Sequence, residues 1–106
     1  MILKTKRGST MQIQMTGQGL DISSTLRKLT EKKLQRIKPH LDEIINVHIT
    51  FHVNKIRQIA DANIKLPGGT INAQAESDDM YKTVDLLMNK IQTQLAKYKA
   101  KKGDHR

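Results

Sequence analysis

The sequence predicts an α+β fold, a two-layer sandwich in which two helices cover one face of a four-stranded sheet, in the order β-α-β-β-β-α. Three observations predict it. Four segments alternate apolar and polar residues with the period of a strand, two others repeat apolar residues with the period of a helix, and each strand is apolar on one side only. Such a sheet needs a cover on a single face. At 106 residues the chain has the size of one domain.

The first ten residues carry Lys4, Lys6 and Arg7 with no acid and no periodicity, and read as a disordered basic leader; Met11 is a second possible start. From there Met11, Ile13 and Met15 alternate with Gln12, Gln14 and Thr16, a strand that Gly17-Gln18-Gly19 ends. Ser23 offers a helix cap, and Leu26, Leu29, Leu34, Ile37 and Leu41 form the apolar stripe behind it, with Thr30 and Lys33 at its edge. Pro39 should end or kink this helix, because its ring disfavours helical geometry at Lys38.

The second strand runs from Ile45 to Val53, with Val47, Ile49, Phe51 and Val53 on one face and His48, Thr50 and His52 on the other. In the third, Ala60, Ala62, Ile64 and Leu66 alternate with Asp61, Asn63 and Lys65, and Pro67-Gly68-Gly69 supplies a hairpin turn. The fourth, Thr70 to Glu76, turns Ile71, Ala73 and Ala75 inward. Ser77-Asp78-Asp79 then caps a second helix whose apolar stripe is Met80, Val84, Leu87, Ile91, Leu95 and Tyr98. The small alanines would let this helix approach the sheet closely. The expected organisation is a leader over residues 1–10, one domain over 11–102 and a tail over 103–106.

Composition narrows the function. Apolar residues make up 37% of the chain and aromatics 3%, so the core must be aliphatic. With 19 Lys and Arg against 10 Asp and Glu the formal charge is +9, and a body that basic suits an anionic partner, nucleic acid first. No cysteine is present, which removes disulfides, thiolate zinc sites and cysteine nucleophiles. No signal peptide or membrane span is legible, so a soluble cytoplasmic protein with no membrane partner is expected.

The charge is concentrated. Arg27 to Lys38 holds six basic residues and one acid, Glu31, and Lys90 to Arg106 again holds six and one, Asp104, leaving the remainder close to neutral. Two helices packed side by side would set both rows on one outer surface, the geometry that tracks a phosphate backbone, whereas ordinary solvated helix faces mix signs. Readout by stacking is disfavoured: Phe51 is turned inward and the two tyrosines lie on the second helix. Shape and phosphate recognition of folded or double-helical RNA fits better.

Other constellations carry less. His48 and His52 have the spacing of a helical metal pair, but on a strand they stand roughly 13 Å apart, too far for one ion. Asp78 and Asp79 lie where caps belong, Gly17-x-Gly19 lacks the rest of a dinucleotide loop, and no Ser-His-Asp arrangement exists. Neither a catalytic residue, a cofactor, a metal nor a small-molecule substrate is implied, and an RNA-processing enzyme is disfavoured because none of the four histidines sits in an acid–base constellation.

The stretch Ile22-Ser23-Ser24-Thr25-Leu26-Arg27, the run Lys33-Leu34-Gln35-Arg36-Ile37, Ala60-Asp61-Ala62, Gly68-Gly69, Asp79-Met80-Tyr81-Lys82-Thr83-Val84-Asp85 and then Asn89-Lys90-Ile91 together resemble the bacterial ribosome hibernation promoting factors. The chain looks like their short form, closely related to the ribosome-associated inhibitor, over about residues 11 to 102. The resemblance implies a sheet with both helices on one face, as in double-stranded-RNA-binding domains. It also implies a stationary-phase, stress-response factor that binds the small ribosomal subunit, 16S rRNA and neighbouring ribosomal proteins, between head and body. There it would cover the mRNA and tRNA sites and stop translation.

Arg27, Lys33, Arg36, Lys90, Lys97 and Lys99 fall on positions where that family carries basic residues facing ribosomal RNA. With Lys28, Lys32, Lys82 and Lys101 from the same rows and motif, they make up the expected RNA-binding set. Thr93 stands where relatives often have Arg, and Gln92 and Gln94 beside it can only hydrogen-bond. Short members promote ribosome dimers together with a separate ribosome modulation factor, which would be an indirect partner. The competing reading is modulation of an alternative sigma factor through protein contacts, which would rest on a few apolar anchors and depend little on salt.

Overall fold

The computed structural model describes residues 12–37 and 44–104, the last six by backbone alone, and its elements follow the predicted order. Strands β1 (Gln12–Gln18), β2 (Asn46–Asn54), β3 (Arg57–Leu66) and β4 (Gly69–Ser77) form one sheet in that order, β1 parallel to β2 and the other pairs antiparallel. Parallel neighbours need a crossover, and α1 (Ser24–Gln35) supplies it; α2 (Met80–Asp104) follows β4. Met11, Pro39, Leu41, the leader and residues 105 and 106 lie outside the described residues.

The register stacks the inward side chains in rows. Ile13, Val47, Ile64 and Ile71 cross the sheet in one row, Met15, Ile49, Ala62 and Ala73 in the next, and Gly17, Phe51, Ala60 and Ala75 in the third. Phe51, the largest buried side chain, thus lies among glycine and alanines, which leave room for it beneath the helices. Val84, Leu87, Met88, Ile91 and Leu95 of α2 and Leu26, Leu34 and Ile37 of the α1 segment close the same core. Burying each large side chain contributes about 1.5–3 kcal/mol.

Local chemistry fixes the ends. Ser23 caps α1, its Oγ accepting from the Leu26 amide at 3.1 Å. Asp79 caps α2, Oδ1 accepting from the Tyr81 amide at 3.0 Å. At the far end of α2 the Tyr98 hydroxyl donates to the Pro67 carbonyl, tying the helix to the β3–β4 turn. In that turn Gly68 has φ 86°, a conformation that glycine adopts without strain.

Helix α1 ends at Gln35, four residues ahead of Pro39, and the Arg36 and Ile37 amides donate three residues back, to Lys33 and Leu34, and tighten the last turn. Two expectations are corrected. Thr30, expected at the edge of the stripe, is wholly buried because its hydroxyl donates to the Leu26 carbonyl at 2.8 Å, while Leu29 is only half-buried. Val53, expected inside, is 44% exposed, since β2 runs on past the helices into a tight turn. A further residue, Ile59, which the sequence reading did not place, is buried although it lies on the sheet face away from the core, between His52 and Glu76.

Candidate nucleic-acid interface

Both helices cover one face, so their outer sides form a single surface. With Leu26, Thr30 and Leu34 turned inward and about 100° of rotation per residue, Lys28, Lys32 and Arg36 point outward from α1, all exposed. Arg27 is exposed on the flank it shares with Glu31. On α2, Val84, Leu87, Met88, Ile91 and Leu95 face the sheet, and Lys82, Leu86, Lys90, Thr93 and Lys97 form the outward ridge. Lys82, Lys90 and Lys97 are about 12 and about 10 Å apart along the axis at 1.5 Å per residue, enough to reach separate phosphates of one strand. Lys99 and Lys101 continue the helix, with side chains outside the description.

The structure sorts this set by what each cation already touches. Lys33 is not an outward cation: it faces α2, is 26% exposed, and its Nζ lies 2.7 Å from Asp85 Oδ1. Lys82 is 3.8 Å from Asp78, four residues earlier and just ahead of α2, a weak pair between exposed side chains. Among the described residues Arg27, Lys28, Lys32, Arg36, Lys90 and Lys97 have no acidic partner. Thr93 adds no reach, since its hydroxyl turns back to the Asn89 carbonyl at 3.0 Å.

Asp85 is the residue that sequence reasoning missed. It was part of a motif, but nothing in the charge count separated it from the acids that cap α2; only its position, one turn before Asn89 on the side of α2 facing α1, puts it on the basic surface. Between the helices runs a groove of about 370 Å³ lined by Lys33, Arg36, Asp85, Met88, Asn89 and Gln92.

The opposite side of the sheet is polar and close to neutral. Thr16 and His48 are hydrogen-bonded at 2.9 Å, His52 and Gln74 both reach the Asp61 carboxylate, at 3.2 and 2.6 Å, and Asn63 donates to Asn72 at 2.7 Å. Arg57 and Glu76 pair at 3.5 Å. His48 and His52 therefore serve different partners, and among the described residues no group of three or more His, Asp or Glu could hold a metal ion.

A family model, Sigma 54 modulation protein / S30EA ribosomal protein, matches residues 13–103, most of the sheet and all but the last residue of α2. The chain belongs to this family. All ten cations of the expected RNA-binding set of this S30EA-type chain, and the groove between the helices, lie within the match. It is 39% identical over 95 residues to a ribosome hibernation promoting factor of Klebsiella oxytoca, covering 90% of this chain and 100% of the relative. It is 38% identical over 91 residues to one of Pseudomonas putida, covering 86% and 89%. A solved ribosomal subunit interface protein from Coxiella burnetii shares the fold with a TM-score of 0.83 at 74% identity, over 84% of this chain and 98% of that one.

Proposed function

We propose that this chain is a cytoplasmic ribosome hibernation factor that lays the outer surface of α1 and α2 on the RNA of the small ribosomal subunit. It halts translation by occupying the space that mRNA and tRNA need, and it favours ribosome dimers in concert with a modulation factor. The observation that carries this reading is the division of charge: unpaired cations from two helices share one face, while the sheet presents a neutral, internally hydrogen-bonded face. The names of its relatives, hibernation promoting factors and a subunit interface protein, support the same partner.

The mechanism is competitive exclusion. Lysine and arginine side chains release counterions from several phosphates at once and hold a rigid α/β wedge in place; no acid–base chemistry is required, and the protein acts without turning over a substrate. No helix among the described residues is long and apolar enough to cross a membrane.

The test is sedimentation of the protein with vacant ribosomes across a salt series, beside a variant with Lys32, Arg36, Lys90 and Lys97 changed to Glu. Co-migration with small subunits should fall by about three orders of magnitude or more in affinity between 50 and 200 mM salt if six or more phosphates are engaged, and the folded variant should not bind. Binding that persists at high salt and survives the four reversals would overturn the RNA interface and favour the protein-partner role that the family's other name describes.

A further inference from the structure

The groove between α1 and α2 brings two free side-chain amides opposite an unpaired guanidinium. Asn89 and Gln92 stand three residues apart on one flank of α2, and among the described residues neither side-chain amide has a hydrogen-bond partner. At the centre of the sheet's outer face, Asn63 is instead bonded to Asn72 and Gln74 to Asp61. Met88, 5% exposed and part of the core, also lines the groove. Arg36 stands on the opposite wall without an acidic partner, whereas Lys33 is engaged by Asp85. At about 370 Å³ the groove lies within the range of small-ligand sites, roughly 300–1,000 Å³.

We propose that this groove seats one unpaired nucleotide of the bound RNA, its phosphate on Arg36, its base edge on the amides of Asn89 and Gln92, and its ring over Met88. Asparagine and glutamine amides offer a donor and an acceptor side by side, the pattern that a base edge matches. Paired bases in an A-form helix hold those edges in a deep, narrow groove, so the nucleotide comes from a loop, a bulge or an end. A ring placed over a methionine gains a sulfur–aromatic contact. The inference rests on the proposed RNA interface and adds to it one point of base recognition among phosphate contacts.

The experiment uses the full chain and two short single-stranded probes of equal charge, an unstructured RNA and its abasic counterpart, together with small subunits. The RNA should bind about tenfold more tightly than the abasic probe, and an Asn89→Ala, Gln92→Ala double variant should lose that preference while keeping its affinity for the abasic chain. Equal affinity for the two probes, or a preference that the double variant retains, would overturn the groove assignment even if small subunits bind normally. A base preference without small-subunit binding would uphold the groove and sink the ribosomal reading, and binding to none of the three would overturn both.

Discussion

Thr83 and Ser77 share a hydrogen bond of 2.7 Å in the buried junction between β4 and α2. The Thr83 hydroxyl also donates to the Gln58 carbonyl of β3 at 2.9 Å, while Ser77 Oγ accepts from the Asp79 amide at 3.2 Å. One wholly buried side chain therefore ties the start of the basic helix to two strands, and the cap at Asp79 is held by the same network. Position of the cations and stability of the fold meet at this point.

Thr83→Val keeps the volume and removes the hydroxyl, leaving the Gln58 carbonyl and Ser77 with one partner fewer in a buried site. The expected loss is about 1–3 kcal/mol, read as a lower urea midpoint with an unchanged slope. Thr83→Ser should recover most of it. Equal midpoints for Val and wild type would show that the hydroxyl contributes nothing beyond packing.

Asp85→Asn tests the sorting of cations on the surface. The Lys33–Asp85 pair is partly exposed, so its loss should change folding stability by no more than about 1 kcal/mol. Removing the carboxylate frees Lys33 for phosphate, and small-subunit affinity at low salt should rise several-fold, with a log–log salt slope steeper by about 0.7–0.9. Weaker binding in this variant would mean that Asp85 holds Lys33 in the geometry the RNA requires.

Much of this was legible in the sequence because alternation and helical spacing are local signals. The strands, the caps at Ser23 and Asp79 and the Pro67-Gly68 turn were all read from neighbouring residues. The β2–β3 turn was not, since Lys55-Ile56 carries no turn residue: Lys55 adopts φ 62° unaided by glycine, and Ile56 is 75% exposed. The short connection imposes that conformation through the pairing of Asn54 with Arg57, information that resides in the partner strand. For the interface, the basic rows followed from composition along each helix, but the neutralisation of Lys33 depends on Asp85, 52 positions away, and so does the groove they share.

Gly17 shows the same limit in the core. Read locally, it helps to end β1; in the structure β1 continues through Gln18, and Gly17 pairs with Phe51 in the third core row. A Cβ at this position would be driven onto the carbonyl oxygen of Leu20, a backbone atom of the chain folding back, with Ile22 Cγ1 also close, at 3.3 Å. Backbone cannot swing aside as a flexible side chain can, so Gly17→Ala must displace either the end of β1 or the segment leading to the Ser23 cap. The expected cost is about 1–3 kcal/mol, measured by thermal or urea unfolding. Because that segment feeds α1, amide exchange at Leu26 and Arg27 should quicken while exchange in α2 stays slow. An unchanged midpoint with unchanged exchange would show that the turn relaxes freely and that the close approach of Leu20 to Gly17 does not set the position of the first basic helix.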